Sequence, residues 1–281
     1  MTKNPYSVKR LSNACIEVRM RYKAGFRQSF FLSSDHHFDN PKTDQKQIIK
    51  DLKKAKQQNA GIFIFGDLFC LMQGKGDYRG SKADVRPEHQ NSEYFTAVKE
   101  SANNLYSPFW ENIIMVSEGN HESAIKKRLE FNIIKDFLDR GNAENNNEVF
   151  YGNYSGYIRF VFEHESGGQI RTKTIFYHHG YGGGSGHGKV INRAAHVPDA
   201  NILVSGHLHK KFLLQIDRER LDAKGNAFID TQHHLQLGTY KEEYLKHAGY
   251  HIEKGRFPAS MGGSWLDFEL QNKKINYNIT L

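Results

Sequence analysis

Cysteine is scarce in this sequence. The 281 residues contain two cysteines, Cys15 and Cys70, which are too few for a disulfide framework or a zinc site built on cysteine spacing. Long apolar runs are also missing. The basic segment Met1–Arg21 has no apolar stretch of the kind that a secretory signal needs, and no run approaches the roughly 20 residues of a membrane span. We therefore expect a soluble, cytoplasmic protein without a membrane partner.

Positive charge is in excess but is not concentrated. The formal net charge is +8 and the isoelectric point about 9.2, which favours polyanionic partners such as nucleic acid. The lysines and arginines are spread along the chain, so an ordinary basic surface explains the excess equally well. Because no internal repeat or long linker divides the 281 residues, we expect one α/β domain.

The apolar run Phe30–Leu32 leads directly into residues that bind metals, Asp35 and His37. A short apolar run followed by polar residues predicts a buried strand. The two-residue spacing lets Asp35 and His37 converge on one ion while His36 points elsewhere. Aspartate oxygen and histidine nitrogen are ligands for divalent transition metals. Taken alone, the pattern is better explained by a polar strand end.

Four later segments repeat this arrangement. They are Ile62–Cys70 with Gly66 and Asp67, Ile113–Glu122 with Gly119, Asn120, His121 and Glu122, Thr174–Gly180 with His178 and His179, and Ile202–His209 with Gly206, His207 and His209. Open α/β sheets build their sites from residues at the ends of several strands. Because five repetitions by chance are improbable, we expect one shared metal site.

The order of these blocks, D-x-H, G-D, G-N-H-E, H-G and G-H-x-H, resembles the calcineurin-like metallophosphoesterases. All five occur in order between Asp35 and His209, and the set is specific although each block alone is not. The resemblance implies an α/β sandwich of two mixed β-sheets flanked by helices. We place the motif-bearing core at about residues 28–212 and a β-rich C-terminal extension, which carries no family motif, at about residues 213–281.

A two-metal site suits phosphoester hydrolysis. Two ions about 3.5–4 Å apart neutralise phosphoryl oxygens, generate hydroxide for attack on phosphorus and steady the leaving oxygen. Two close cations need a shared anion, and Asp67 is the acidic residue in the blocks that is placed to bridge them. The resemblance implies the same bridge, with the ligand sets Asp35, His37, Asp67 and His209 for one ion and Asp67, Asn120, His179 and His207 for the other. Of the adjacent His178 and His179, the one before glycine matches the family ligand.

His121 resembles the catalytic histidine of the family. A positioned imidazole can protonate the leaving oxygen or stabilise the phosphoryl charge. For Glu122 two compatible roles stay open: it orients His121 through the second ring nitrogen, or it is a first-turn carboxylate at the positive end of a helix. Mixed ligands without cysteine suit manganese, iron, zinc or nickel, and the resemblance makes manganese the expected metal.

Two glycine-rich stretches, Gln73–His89 and Gly180–Gly188, follow ligand-bearing segments. These stretches and the residues just beyond them contain the candidate substrate contacts Arg79, Lys82, Arg86, Lys189 and Arg193. Soluble loops that bind no substrate would carry the same cations equally well. The run Gly183–Lys189 matches the G-x-x-x-x-G-K of a phosphate-binding loop. However, Val190 stands where that loop needs Ser or Thr, so a nucleoside triphosphatase is disfavoured.

The preferred function is a phosphodiesterase or nuclease that uses two divalent metal ions on nucleic acid or nucleotides, because the net charge favours a polyanionic diester. A phosphomonoesterase acting on a protein or a small molecule is the alternative. A non-catalytic binding protein on the same fold is disfavoured because every motif position is filled, including His121.

Apolar periodicity predicts the surrounding elements. Helices are expected over Thr43–Asn59, Glu93–Leu105, Ser123–Arg140 and Lys189–Ala195. Further strands are expected near Ile16–Tyr22, Val149–Phe162, Gln169–Tyr177, Phe212–Ile216, Ala227–Leu237 and Trp265–Thr280.

Overall fold

The computed structural model describes residues 5–73, 80–182, 196–244 and 260–281, together with Ile252, Gly255 and Pro258. The strands within these residues are β1 Tyr6–Ser12, β2 Cys15–Tyr22, β3 Arg27–Ser33, β4 Gly61–Phe65, β5 Ile113–Ser117, β6 Phe150–Gly152, β7 Ser155–His164, β8 Ile170–His178, β9 Ile202–Ser205, β10 Phe212–Leu221, β11 Ala227–Gln236, β12 Ser264–Gln271 and β13 Lys274–Thr280. The α-helices are α1 Gln45–Gln57, α2 Tyr94–Tyr106, α3 Asn120–Leu129 and α4 Ile133–Asn145. In this part of the chain no helix has the length and hydropathy needed to cross a bilayer.

The strands form two mixed sheets. The six-stranded sheet has the order β13-β12-β3-β4-β5-β6, in which β3 to β6 are parallel and β12 and β13 are antiparallel additions. The seven-stranded sheet has the order β1-β2-β7-β8-β9-β11-β10 and also mixes the two directions. The predicted fold, two mixed sheets flanked by helices, is confirmed.

Strand β4 shows why the layers stack. All five of its residues are buried. Phe63 and Phe65 join the apolar cluster between the two sheets, whereas Ile62 and Ile64 join a second cluster with helical residues such as Leu52. A parallel strand covered on both faces carries a continuous apolar run. The run that predicts this strand in the sequence therefore reflects burial on both sides.

The C-terminal extension completes both sheets. Strand β12 pairs antiparallel with β3, and β11 pairs parallel with β9. Both β3 and β9 end at ligand-bearing blocks, so the extension braces two of the strands that position the candidate site.

The predicted helix Ser123–Arg140 is wrong as a single element. It consists of α3 and α4, which are separated at Glu130, a residue in the left-handed conformation with φ 53°. Asn132 then caps α4, because its side chain accepts a hydrogen bond from the Lys135 amide at 3.0 Å. Such caps favour a new helix start over continuation of the previous one.

The predicted strand Trp265–Thr280 is a hairpin of β12 and β13. Its turn residues Asn272 and Lys273 both have positive φ, as a two-residue hairpin turn of type I′ requires. The expected strand near Ile16–Tyr22 is present as β2. The expected helix Lys189–Ala195 lies outside the described residues.

We expect Phe160→Ala to lower the free energy of unfolding by about 3–5 kcal/mol. Phe160 of β7 is fully buried, and its ring centroid lies 4.9 Å from those of both Phe30 and Phe268 in the opposite sheet. Chemical denaturation measures the loss. Phe228→Ala in β11 is the control, since Phe228 is 45% exposed and should change stability by less than about 0.5 kcal/mol. Equal losses from the two variants would contradict this placement of the core.

Candidate metal centre

The carboxyl ends of five strands bring the predicted ligands together. Strands β3, β4 and β5 are neighbours in one sheet, and β8 and β9 are neighbours in the other. The ligands that follow these strands are Asp35 and His37 after β3, Asp67 after β4, Asn120 after β5, His179 after β8, and His207 and His209 after β9. Sites in α/β folds form at such an edge.

Asp35, His37 and His209 form the first group of ligands, with one donor atom from each lying within 4.8 Å of the others. The Nε2 atoms of His37 and His209 are 3.0 Å apart, and His209 Nε2 is 3.3 Å from Asp35 Oδ1. Asp35 Oδ1 is buried and makes no hydrogen bond to the residues that the structure describes. Three donor atoms this close together, one of them a buried carboxylate oxygen, fit a divalent cation.

Asp67, His179 and His207 form the second group, again within 4.8 Å. His179 donates from Nδ1 to the Phe65 carbonyl at 2.9 Å, which leaves Nε2 directed at Asp67 Oδ2, 3.1 Å away. Metal-bound histidines usually donate their other nitrogen to an acceptor of this kind. The side-chain amide of Asn120 lies 2.6 Å from His207 Nδ1 and so belongs to the same group.

His179 joins the two groups, because its Nε2 is also 3.9 Å from Asp35 Oδ1. Burial acts to raise the pKa of both Asp35 and Asp67, but the histidines around them hold each pKa below its ordinary value. Two buried carboxylates this close need positive charge beside them. The donor set therefore fits two cations, while the bridging role of Asp67 stays a prediction.

The pKa values of two ligand histidines, His179 and His209, are raised. Burial acts to lower the pKa of His179, but Asp67 and then Asp35 raise it to about 10. Burial also acts to lower the pKa of His209, which Asp35 and Glu243 raise to about 9. Positive charge is thus favoured at both groups, as a cation site requires.

Five of the predicted ligands have a left-handed backbone. Asp35, His37, Asp67, His207 and His209 have φ values between 45° and 72°. Residues other than glycine adopt such conformations at a cost of about 1–3 kcal/mol each, and they concentrate at functional sites. Backbone hydrogen bonds hold the strained loops in place: the Asp35 amide donates to Gly66 and the His37 amide to Asp67, both at 3.0 Å.

Gly119 is required by the space around Asp67. A Cβ at this position would lie 2.1 Å from Asp67 Oδ1 and 2.4 Å from its amide nitrogen. Helix α3 begins immediately afterwards, and the His121 amide donates to Asp67 Oδ1 at 3.0 Å. The helix terminus therefore fixes one oxygen of Asp67 and leaves Oδ2 directed at His179.

His121 lies beside both groups. Its Nδ1 is 2.6 Å from the Cys70 carbonyl, and an acceptor there requires the proton on Nδ1. Its Nε2 lies 3.9 Å from Asp67 Oδ2, and its ring centroid is 4.9 Å from that of His37. The Cys70 carbonyl therefore directs Nε2 towards the predicted ligands.

Glu122 takes the second of its two predicted roles. It lies in the first turn of α3 and accepts hydrogen bonds from the amides of Gly119 at 2.8 Å, Phe69 at 2.9 Å and Asp67 at 3.2 Å. Burial and the charge of Asp67 raise its pKa to about 8. The prediction that Glu122 orients the His121 ring is corrected, because the Cys70 carbonyl holds Nδ1. Glu122 instead fixes the backbone that carries Asp67.

Sequence reasoning missed Asp39 and Cys70, which lie beside the site. The carboxylate of Asp39 accepts from the amides of Cys70 at 2.5 Å and Leu71 at 2.9 Å, and so fixes the loop that orients His121. Cys70 itself forms a third buried group with His37 and His121. The spacing of two distant cysteines could not indicate this, because a single thiol reaches the site through the fold.

His36 and His178, which adjoin predicted ligands but are not predicted to bind metal, have hydrogen-bond partners outside the two groups of ligands. His36 is buried, with Nδ1 2.7 Å from the Tyr106 hydroxyl and Nε2 2.9 Å from the Ser33 hydroxyl. His178 Nδ1 accepts from the Gly180 amide at 3.0 Å.

The predicted substrate contacts divide into three kinds. Arg86 is a correction: its guanidinium donates to the carbonyls of Phe38 at 3.2 Å and Thr43 at 2.8 Å, so it anchors a loop and is not placed to bind substrate. Lys82 is exposed in a short 3₁₀ helix and stays a prediction. Arg79, Lys189 and Arg193 lie outside the described residues.

No family model and no curated protein matches the chain. Solved structures do. A predicted phosphoesterase from Streptococcus pneumoniae is similar at 16% identity and a TM-score of 0.31, over 90% of this chain and 89% of that one. A single mutant of Vps29 from Entamoeba histolytica is similar at 11% identity and a TM-score of 0.35, over 90% and 98%.

GAP50 of Plasmodium, described as the anchor in the inner membrane complex, is similar at 11% identity and a TM-score of 0.44, over 90% of this chain and 84% of that one.

We expect His179→Ala to lose at least one of two bound metal ions and His178→Ala to keep both. The two histidines are neighbours in sequence, but only His179 directs a ring nitrogen at Asp67 and Asp35. Elemental analysis after reconstitution with manganese measures the number of ions per chain. Equal stoichiometry in the two variants, or a larger loss from His178→Ala, would contradict the ligand assignment.

Proposed function

We propose that the protein is a dinuclear metal-dependent phosphoesterase. The observation that carries the proposal is the convergence of seven predicted ligands from five strand ends into two adjacent groups, with His121 beside both. Asp35, His37 and His209 would hold one ion, Asn120, His179 and His207 the other, and Asp67 both. When bound, two such ions neutralise phosphoryl oxygens and activate water for hydrolysis.

His121 would hold the proton that the leaving oxygen needs. Its Nδ1 is held by the Cys70 carbonyl, so Nε2 is the nitrogen directed into the site. The residue is 8% exposed, so His121 is largely but not completely buried. An imidazole positioned in this way contributes typically about 10²–10⁴-fold to the rate.

We further propose a phosphodiester of a nucleotide or nucleic acid as the substrate. The net charge of +8 supports a polyanion. A phosphomonoesterase is the second candidate, because a compact dianion would equally satisfy a cationic site. Manganese is the metal to test first.

The test compares bis-p-nitrophenyl phosphate, p-nitrophenyl phosphate and oligonucleotides after reconstitution with Mn²⁺. We expect faster hydrolysis of the diesters than of the monoester, loss of activity with a chelator, and recovery when Mn²⁺ is restored. Faster hydrolysis of the monoester would contradict the proposed diester substrate but would leave the proposed phosphoesterase activity in place. Absence of hydrolysis in a protein that binds two ions would favour a non-catalytic binding protein.

We expect His121→Ala to retain both metal ions and to lose about 10²–10⁴-fold in turnover of a diester with a poor leaving group. The loss should be much smaller on a nitrophenyl ester, because nitrophenolate leaves without needing a proton. Single-turnover kinetics on the two substrates, with metal content measured in parallel, separates these effects. An equal loss on both substrates would remove His121 from leaving-group protonation.

A further inference from the structure

The segment that follows β11 crosses the ligand-bearing ends of both sheets. Its first residue, Leu237, donates from its amide to Ser205 at the end of β9, at 2.8 Å. Further along, the Thr239 hydroxyl and the Tyr240 amide both donate to the Asp35 carbonyl, at 2.9 and 3.1 Å. The segment, residues 237–244, is therefore fixed to the first group of ligands through the backbone.

Glu243 of this segment reaches the metal centre through its side chain. It is 4% exposed. Its Oε2 lies 3.4 Å from His209 Nδ1, and its Oε1 lies 3.3 Å from Lys241 Nζ. The other nitrogen of His209, Nε2, faces Asp35 Oδ1 at 3.3 Å and His37 Nε2 at 3.0 Å. The imidazole of His209 thus lies between a buried carboxylate and the first group of ligands.

This arrangement has a defined chemical consequence. A carboxylate that accepts the Nδ1 proton favours the tautomer with an unprotonated Nε2, whose lone pair then faces the first group of ligands. The same hydrogen bond fixes the orientation of the ring and makes Nε2 a stronger ligand for a metal ion. Lys241 compensates the charge of Glu243 and holds one of its oxygens. His179 has a different partner on Nδ1, the neutral Phe65 carbonyl.

We propose that Glu243 is a positioning residue for His209 and that the C-terminal extension thereby completes the metal centre. The proposal rests on the metal-binding part of the proposed function. It gives residues 237–244, where the sequence carries no family motif, a direct role in holding the ion at Asp35, His37 and His209.

The experiment measures Mn²⁺ affinity by isothermal titration calorimetry in wild type, Glu243→Gln and Glu243→Ala. Loss of such a hydrogen-bonded partner typically lowers metal affinity by about 10–100-fold. We expect a loss in this range for one of the two ions in Glu243→Ala. A smaller loss is expected in Glu243→Gln, whose amide oxygen can still accept the proton but carries no charge.

Glu242→Gln is the matched control. Glu242 is the adjacent carboxylate, and it accepts from the Tyr244 amide at 2.6 Å, so Mn²⁺ affinity should stay at the wild-type value. The ¹⁵N chemical shifts of His209 are measured in the metal-free protein above the His209 pKa of about 9, where the ring is neutral, and supply a readout that general destabilisation does not move. We expect an Nδ1-protonated ring in wild type and a mixture of tautomers in Glu243→Ala, with far-ultraviolet circular dichroism confirming that each variant is folded.

The outcomes separate this proposal from the one it rests on. Wild-type protein that binds no divalent ion would overturn the proposed function. Wild-type protein that binds two ions, with unchanged affinities and an unchanged His209 tautomer in both Glu243 variants, would overturn only the role of Glu243. Equal losses in Glu242→Gln and Glu243→Gln would also overturn it, because the effect would then not depend on contact with His209.

Discussion

Charge compensation for two buried carboxylates is the interaction on which the centre depends. Asp35 and Asp67 are both within 4 Å of one His179 nitrogen and almost completely shielded from water. A buried charge without a partner is costly enough that proteins rarely keep one. The structure therefore surrounds the pair with imidazoles and directs the amide of His121, at the start of α3, at Asp67. The same arrangement of buried carboxylates and imidazoles fits cations.

The packing of the two sheets brings this pair of carboxylates together. Two sheets packed through rings such as Phe30 and Phe160 bring strand ends from different parts of the chain to one edge. The cost of left-handed backbone at five ligands is offset by hydrogen bonds between successive loops and by the C-terminal segment against Asp35. The loops are thus held in a conformation that they would not adopt alone.

Local patterns made most of the fold and the ligand candidates predictable. A strand buried on both faces is a continuous apolar run, so β4 and its Asp67 stand out in the sequence. Partners that arrive from a distance leave no such pattern: nothing near Glu243 indicates contact with His209, and nothing near Cys70 indicates that its carbonyl orients His121. Glu122 had two roles open because a first-turn carboxylate and a histidine partner look alike in sequence. Only the directions of the amides distinguish them.

Anomalous diffraction at the manganese edge, from crystals grown with Mn²⁺, tests the central claim most directly. The account predicts two peaks about 3.5–4 Å apart. One should lie among Asp35, His37 and His209, the other among Asn120, His179 and His207, with Asp67 between them. A single peak, or peaks away from these residues, would contradict the claim that the five strand ends form a dinuclear metal centre.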